Sequence, residues 1–488
     1  MKKGVEYEGK VIGIEFPNKG IVENDEGVAV VKGAIPGQKV KFVISKKRSG
    51  RCVGRLKEVL EKSEIENATD ICPYSEECGG CSYQTIPYGK QLELKSGMVK
   101  KILDGVCLDY EYEGIIGSPD NTAYRNKMEF SFGDEYKDGP LALGQHKKGS
   151  FHDIITVSGC RIIHDDYSKI IDATLKYCND NKLPFYKKLR HEGYLRHLLV
   201  RRAVSTGEII IGIVTSSQIN HNFSELMEIL CKLELEGEIV GVMHIINDSL
   251  SDTVQSDETK ILFGRDYIYE ELLGLKFKIS IFSFFQTNSK GAEVLYNKAK
   301  EYIMSVDILK GNSKENTVVF DLYSGTGTIT QMISPAAGKV VGVEIVEEAV
   351  VAARENAKLN SINNCEFIAG DVLKVLDDIK DKPDFIILDP PRDGINPKAL
   401  TKIIDYGVDN IVYISCKPTS LVRDLEVFLE RGYKLVKACA VDMFPNTVHV
   451  ETVCLLSNRK PDARVKIDVD LEDYYRIKDE QKKNKASE

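Results

Sequence analysis

No stretch of this chain is apolar for long enough to span a bilayer, which excludes a membrane-spanning helix as its organising element. Its first residues, Met1-Lys2-Lys3-Gly4-Val5-Glu6-Tyr7-Glu8, lack the apolar core of a secretory signal. A cytoplasmic setting is therefore expected, and with it reduced or metal-bound thiols rather than a disulfide framework for the twelve cysteines. Internal repeats are absent. An excess of positive charge is absent too: the net charge is -8, which taken alone argues against a nucleic-acid partner. The charge is uneven, however. Residues 1–60 hold 13 Lys and Arg against 7 Asp and Glu, a basic module on an acidic chain. The length, 488 residues, is too great for one hydrophobic core, so several domains are expected.

The first of these spans residues 1–62. Gly9–Ile14, Gly27–Lys32 and Gln38–Ile44 read as short β segments and are separated by turn residues, including Ala34-Ile35-Pro36-Gly37. Short strands at this spacing predict a small OB-like β-barrel. The tip Lys46-Lys47-Arg48-Ser49-Gly50-Arg51 reads as a loop facing phosphates, and the barrel as an RNA-binding module. Residues 63–285 form a mixed central α/β region with predicted strands at Lys127–Phe132 and Glu208–Val214. Residues 286–458 alternate helix and strand, as in a doubly wound, Rossmann-like domain. Residues 459–488 are highly charged and read as a loose or helical extension.

Three strand patterns in the last domain end in polar chemistry: Val318–Leu322 before Tyr323-Ser324-Gly325-Thr326-Gly327, Asp384–Leu388 before Asp389-Pro390-Pro391-Arg392, and Ile411–Ser415 before Cys416-Lys417-Pro418. In an open α/β sheet that edge binds ligands. The glycine turn lacks the third glycine of a dinucleotide site, which favours a smaller nucleoside cofactor over a pyrophosphate binder. Glu344 ends the next strand, where a carboxylate meets ribose hydroxyls, and Asp371 follows a third strand, where it is placed to meet an adenine amine. The ordered set of glycine turn, Glu344, Asp371 and Asp389 points to S-adenosylmethionine. Cys416 beside such a pocket is a candidate nucleophile.

A second constellation is Cys72, Cys78 and Cys81, spaced C-x5-C-x2-C with Gly79-Gly80 between ligands. Cys160, after a turn at Ser158-Gly159, is the best fourth thiol. Spacing alone permits structural zinc as readily as an iron–sulfur cluster. A radical enzyme using S-adenosylmethionine would need C-x3-C-x2-C at its cofactor pocket, and this cluster is neither. The seven remaining cysteines outside Cys416, such as Cys52 and Cys231, read as ordinary small residues.

Together, Ser415-Cys416-Lys417-Pro418, Asp389-Pro390-Pro391-Arg392, His449-Val450-Glu451-Thr452 and Phe284-Phe285-Gln286-Thr287-Asn288 resemble the RNA uracil-5-methyltransferase family, over nearly the whole chain to about residue 458. The amino-terminal barrel resembles that family's TRAM domain. The resemblance implies methyl transfer from S-adenosylmethionine to carbon 5 of a uridine. Carbon 5 is a poor nucleophile until a thiolate adds to carbon 6, and a base must then remove the carbon 5 proton. The resemblance gives Cys416 the thiolate role and Glu451 the base role, with His449 as the local competitor. It implies cofactor contacts from Gln286, Tyr323 and Glu344. Asp389 would belong to the cofactor pocket or orient the uracil, and Asp371 is a further carry-over. A depressed thiol or a nearby positive charge is expected, with Lys417 as a candidate source.

The cluster-bearing branch of the family implies a 4Fe-4S cluster on Cys72, Cys78, Cys81 and Cys160, and 23S rRNA as the substrate. Arg125 and Lys127 are candidates to touch RNA. The rivals are uridine-5 methylation of tRNA, an amine or cytosine methyltransferase using Asp389-Pro390-Pro391 differently, and a non-catalytic RNA-binding assembly factor.

Overall fold

The computed structural model describes residues 1–48, 50–251, 253–306 and 315–458; the charged extension expected at 459–488 lies outside the described residues. Strands β1 (Glu6–Glu15), β2 (Lys19–Asn24), β3 (Gly27–Lys32), β4 (Lys39–Arg48) and β5 (Arg51–Glu61) close a barrel in the order β1-β2-β3-β5-β4. Its closure follows from the period-two pattern. On β4 the side chains of Val40, Phe42 and Ile44 point inward and are fully buried, beside Val11, Val22 and Val31. The basic tip is the β4–β5 hairpin.

Helix α1 (Tyr88–Asp104) and strand β6 (Glu111–Ile116) come next in the chain. The following strands form a seven-stranded sheet in the order β13-β12-β11-β10-β7-β8-β9: β7 (Lys127–Asp134), β8 (Leu141–His146), β9 (Ile154–Thr156), β10 (Leu195–Arg202), β11 (Glu208–Thr215), β12 (Glu238–Ile246) and β13 (Glu258–Gly264). Helices α2 (Asp165–Asp180) and α3 (Ser224–Cys231) pack on it through Tyr167, Ile170, Ile171, Leu226 and Leu230. A hairpin of β14 (Tyr267–Leu272) and β15 (Leu275–Ser280) leads out.

Helix α4 (Ser289–Ser305) opens the last unit. Strand and helix then alternate through β16 (Val318–Leu322), α5 (Thr328–Ile333), β17 (Lys339–Glu344), α6 (Glu347–Leu359), β18 (Cys365–Ala369), α7 (Val372–Asp378), β19 (Phe385–Leu388), α8 (Pro397–Asp405), β20 (Asn410–Ser415) and α9 (Pro418–Glu430). Strands β21 (Lys434–Val441) and β22 (Glu451–Ser457) close the order. The sheet has eight strands in the order β18-β17-β16-β19-β20-β22-β21-β6. Strands β16 to β20 are parallel, and β16, β17, β19 and β20 are buried on both faces, which is why they read as continuous apolar runs. Each fully buried Ile, Leu or Val there contributes about 1.5–3 kcal/mol relative to exposure. The strand order reverses between β16 and β19, and ligand crevices form at such a switch point.

One boundary differs from the sequence reading. The region 63–285 is not one contiguous unit, because β6 pairs in parallel with β21 (Lys437 opposite Glu111, Val441 opposite Ile116) and α1 packs into the core of the eight-stranded sheet through Met98, Val99 and Leu103. Among the described residues no helix is long and apolar enough to cross a membrane.

Candidate active site

The glycine turn after β16 takes a shape that L side chains resist. Tyr323, Gly325 and Gly327 all have positive φ, of 70°, 53° and 75°. A Cβ on Gly327 would lie 2.5 Å from the Phe367 ring, so the backbone must approach here without a side chain. Tyr323 and Ser324 N–H donate to Val343 O, which ties the turn to β17. Glu344, at the end of β17, accepts from Gly325 N at 3.0 Å and from Val346 N at 2.9 Å. Its carboxylate is thereby aimed over the turn. Asp371 lies at the same sheet edge and caps α7, accepting from Leu373 N at 2.9 Å.

Two buried polar atoms at this turn lack a protein hydrogen bond: Asp321 Oδ1 and Ser324 Oγ. The other oxygen of Asp321 accepts from Thr330 Oγ1 at 2.5 Å, and burial pushes its carboxyl up to about 7. Unpaired buried polar atoms beside a glycine turn fit a polar ligand with a cationic or hydroxyl-rich end. Asp321 was not singled out from the sequence, where it reads as one more strand residue.

Across the switch point, Asp389 follows β19, and its carboxyl is pushed up to about 7 by burial and then by Asp321. The next parallel strand, β20, ends at Ser415, which lies opposite Thr452 of antiparallel β22. That register makes Cys416 leave its strand where Glu451 enters the neighbouring one. Glu451 is 5% exposed. Burial, then the Asp389 charge, pushes it up to about 8, against a lowering influence from Arg392. Cys416 is half-buried; burial, then Glu451 and Asp389, pushes its thiol up to about 11, and Arg392 again opposes. Cys416, Glu451, Asp389 and Arg392 thus form one electrostatic group.

The expectation of a depressed thiol is corrected by this geometry. Lys417 Nζ points toward Asp393, 4.0 Å away, and is not among the main influences on the thiol. The cation facing Cys416 is Arg392. His449 is held down to about 4 by burial and by Arg392, Lys95 and Arg125, so it is neutral at ordinary pH.

Gln286 precedes α4. Its backbone carbonyl accepts from Asn126 Nδ2 at 2.9 Å, and its side chain hydrogen-bonds Tyr296, which is almost fully buried and within electrostatic reach of Asp389 and Glu451. Tyr296 was missed in the sequence because a tyrosine inside an amphipathic helix reads as core. Of the two candidate RNA contacts, Lys127 is committed to Glu129 at 3.2 Å. Arg125 donates to Lys127 O and stands within electrostatic reach of His449 and Cys81. At the barrel tip, Arg51 donates to Glu15 through both terminal guanidinium nitrogens while Lys46, Lys47 and Arg48 remain exposed.

Cys72, Cys78, Cys81 and Cys160 line one small pocket with Tyr74, Ser75, Gln84 and Val157. All four are free thiols. Burial raises Cys78, lifts Cys81 to about 11 and Cys160 to about 12, and the neighbouring thiols reinforce this. Among the described residues no three His, Cys, Asp or Glu side chains stand at the close spacing of ligands around one ion.

Residues 87–459 match the family model described as tRNA (uracil-5-)-methyltransferase. A Clostridium tetani protein named as an uncharacterized RNA methyltransferase is 50% identical over 454 residues, which are 93% of this chain and 98% of that protein. A Clostridium acetobutylicum protein of the same description is 48% identical over 461 residues, 94% of this chain and 99% of its own. Among solved structures, Pyrococcus abyssi tRNA (uracil-54, C5)-methyltransferase in complex with S-adenosyl-L-homocysteine superposes with a TM-score of 0.71 at 24% identity, covering 92% of this chain and 100% of that one.

Proposed function

The chain belongs to the tRNA (uracil-5-)methyltransferase family, whose members are S-adenosylmethionine-dependent RNA methyltransferases, and from that premise we propose that it methylates carbon 5 of a uridine in 23S rRNA through a covalent cysteine adduct. One observation carries the chemistry: the Ser415–Thr452 register sets Cys416 beside Glu451, with Asp389 and Arg392 facing both.

In this reading S-adenosylmethionine, when bound, supplies the electrophilic methyl group. Gln286, Tyr323 and Glu344 hold the cofactor, Asp389 and Asp371 line its pocket, and Asp321 is added by its unpaired buried oxygen. Cys416, as thiolate, adds to carbon 6 of the uracil, and the ring's electron pair moves to carbon 5. Arg392 offsets the negative charge that Glu451 and Asp389 impose on that sulfur. After methylation Glu451 takes the carbon 5 proton, and the carbon–sulfur bond breaks to return Cys416. A carboxyl held up near 8 is a stronger base than an ordinary glutamate, which suits proton abstraction from carbon. His449, held neutral and low, is the weaker candidate. Neither amine methylation nor a binding-only role needs this thiol and carboxyl pair. The target base must be extruded, because a stacked uracil cannot reach the pocket.

The four-cysteine pocket holds a 4Fe-4S cluster in this reading. Its donor set is all sulfur, and the proposed reaction moves no electrons, so the cluster's role is structural or RNA-facing. The protein works in the cytoplasm on rRNA before assembly buries the loop. The units are taken as a TRAM barrel at 1–62, a central unit drawn from 63–285 and a methyltransferase unit at 286–458.

A second reading, uridine-5 methylation of tRNA, is favoured by the family description, and the fold is shared with the Pyrococcus abyssi tRNA enzyme. That shared fold means the architecture alone does not separate the two RNAs. The test offers purified protein free 23S rRNA and tRNA with a labelled methyl donor. Label in 23S rRNA is expected; label only in tRNA would move the substrate to the second reading and leave the chemistry standing.

A further inference from the structure

The loop that delivers Glu451 is gripped at four consecutive carbonyls by four separate parts of the chain. Asn288 Nδ2 donates to Met443 O at 3.0 Å and Lys95 Nζ to Phe444 O at 3.1 Å. The Tyr124 hydroxyl donates to Pro445 O at 2.9 Å. The backbone N–H groups of Ser82 and Tyr83 both donate to Asn446 O, at 2.9 and 3.0 Å. Asn446 itself has a φ of 65°, which few residues other than glycine accept. Its conformation is fixed by a reciprocal pair: Asn446 N donates to Gln91 Oε1 at 2.8 Å, and Gln91 Nε2 donates to Asn446 Oδ1 at 3.0 Å. The same Gln91 amide reaches Tyr83 O and Ile86 O. Val448, between Asn446 and Glu451, packs against the cluster that contains Tyr83 and Ile86.

Ser82 directly follows Cys81. The segment that carries three of the pocket's four cysteines and the loop that leads to Glu451 are therefore bonded into one junction at Asn446. We propose that this junction positions the base: Asn446 and Gln91 transmit the order of the cysteine pocket to the Glu451 carboxylate. The proposal rests on the covalent reading above for its kinetic signature, and on geometry alone for its mechanical one. Proton abstraction from carbon demands placement within a fraction of an ångström; pairing with Val441 fixes the backbone of Glu451 at the start of β22, and the loop that leads into it is held by the contacts above. Ordering of the cysteine segment steadies that loop and adds to the strand's hold on Glu451. A pocket that carries no electrons in the reaction thereby acquires a part in it.

The test uses full-length protein purified anaerobically, with two substitutions at the junction. Asn446→Gly keeps the positive φ and removes the pairing with Gln91; Asn446→Asp keeps both the φ and the acceptor. Asn446→Gly should bind S-adenosylmethionine within about twofold of the parent and transfer the first methyl normally. Its multiple turnover should fall about tenfold, with an RNA–protein adduct accumulating on denaturing gels, and Asn446→Asp should recover most of the turnover. Hydrogen exchange of the Val448–Glu451 amides should quicken about tenfold in Asn446→Gly and in Cys81→Ala. Equal loss of cofactor binding and turnover in Asn446→Gly, with no adduct, would mean a merely structural contact and overturn the proposal. If Glu451→Gln itself traps no adduct, the base assignment fails, and the exchange measurement then decides alone: unchanged exchange in Cys81→Ala refutes the coupling.

Discussion

Lys95 Nζ lies 2.7 Å from Asp442 Oδ1, and neither side chain has any solvent exposure. Lys95 comes from α1, and Asp442 opens the loop that ends at Glu451, so the pair joins the early segment to the candidate base. Burial favours the neutral amine, and the Asp442 charge opposes it. Replacing Lys95 by Met strands Asp442 as an uncompensated buried charge, at a cost of about 3–5 kcal/mol. The melting temperature should drop accordingly, and Lys95→Met with Asp442→Leu should regain most of the loss. A single variant as stable as the parent would show that the pair is not closed to water.

Cys416→Ala should abolish methylation while leaving S-adenosylmethionine affinity nearly unchanged, because the thiol supplies covalent activation rather than binding. Glu451→Gln should permit addition and methyl transfer but stall release, so that denaturing gels show a stable RNA–protein adduct. Near-normal turnover in Cys416→Ala would remove the covalent mechanism.

The two groups also set a pH dependence. The ordinary glutamate value is 4.5 and Glu451 is held up to about 8, so between these the folded protein keeps a proton that the unfolded chain has released. The stability contributed by that proton is fully present below the ordinary value and is lost as pH rises through the folded value. Activity runs the other way, because both the base and the thiol, itself pushed up to about 11, must be deprotonated. Turnover should therefore climb from about pH 6.5 to about pH 9, and Glu451→Gln should flatten the fall in stability between the ordinary value of 4.5 and the folded value of about 8. A rate that is level across this range would contradict the raised carboxyl.

Much of this site is legible in the sequence because its chemistry sits at strand ends. Cys416, Asp389 and the glycine turn each follow a short apolar run, and the sheet edge that unites them is implied by the fold class. What stays hidden depends on tertiary direction. Lys417 is adjacent to Cys416 in sequence but turns to Asp393, and the facing cation is Arg392 from another strand end. Strand β6 carries no mark of its partner, since a half-buried edge strand reads alike in any sheet. Asp321 and Tyr296 hide inside a strand and a helix whose patterns need them only as filler. The junction at Asn446 unites residues 355 apart in the chain, beyond the reach of any local pattern.

The basic hairpin of the barrel gives a measurement in which one arginine should behave differently from its neighbours. Arg51 is already bound by Glu15, whereas Lys46, Lys47 and Arg48 are free to meet phosphates. Replacing those three by alanine should weaken RNA binding and reduce the slope of affinity against salt by about two to three, without changing S-adenosylmethionine binding. Arg51→Ala should change the slope by less than one such step. An unaltered slope in the triple variant would place the RNA on another face.

The cysteine pocket yields the most direct measurement. Burial and the neighbouring thiols raise Cys78, Cys81 and Cys160, so a bound cationic centre would be needed to hold these three as thiolates. Protein prepared without oxygen should be brown and contain about four irons and about four sulfides per chain. Substituting Cys160 by alanine should lower the iron content and leave the barrel's contribution to RNA binding intact, because the barrel closes on its own core of Val11, Val22, Val40 and Phe42. Stoichiometric zinc without sulfide would assign the pocket to a structural ion instead. The coupling at Asn446 would survive that outcome, since it depends on the order of the segment after Cys81 and not on the identity of the centre that imposes it.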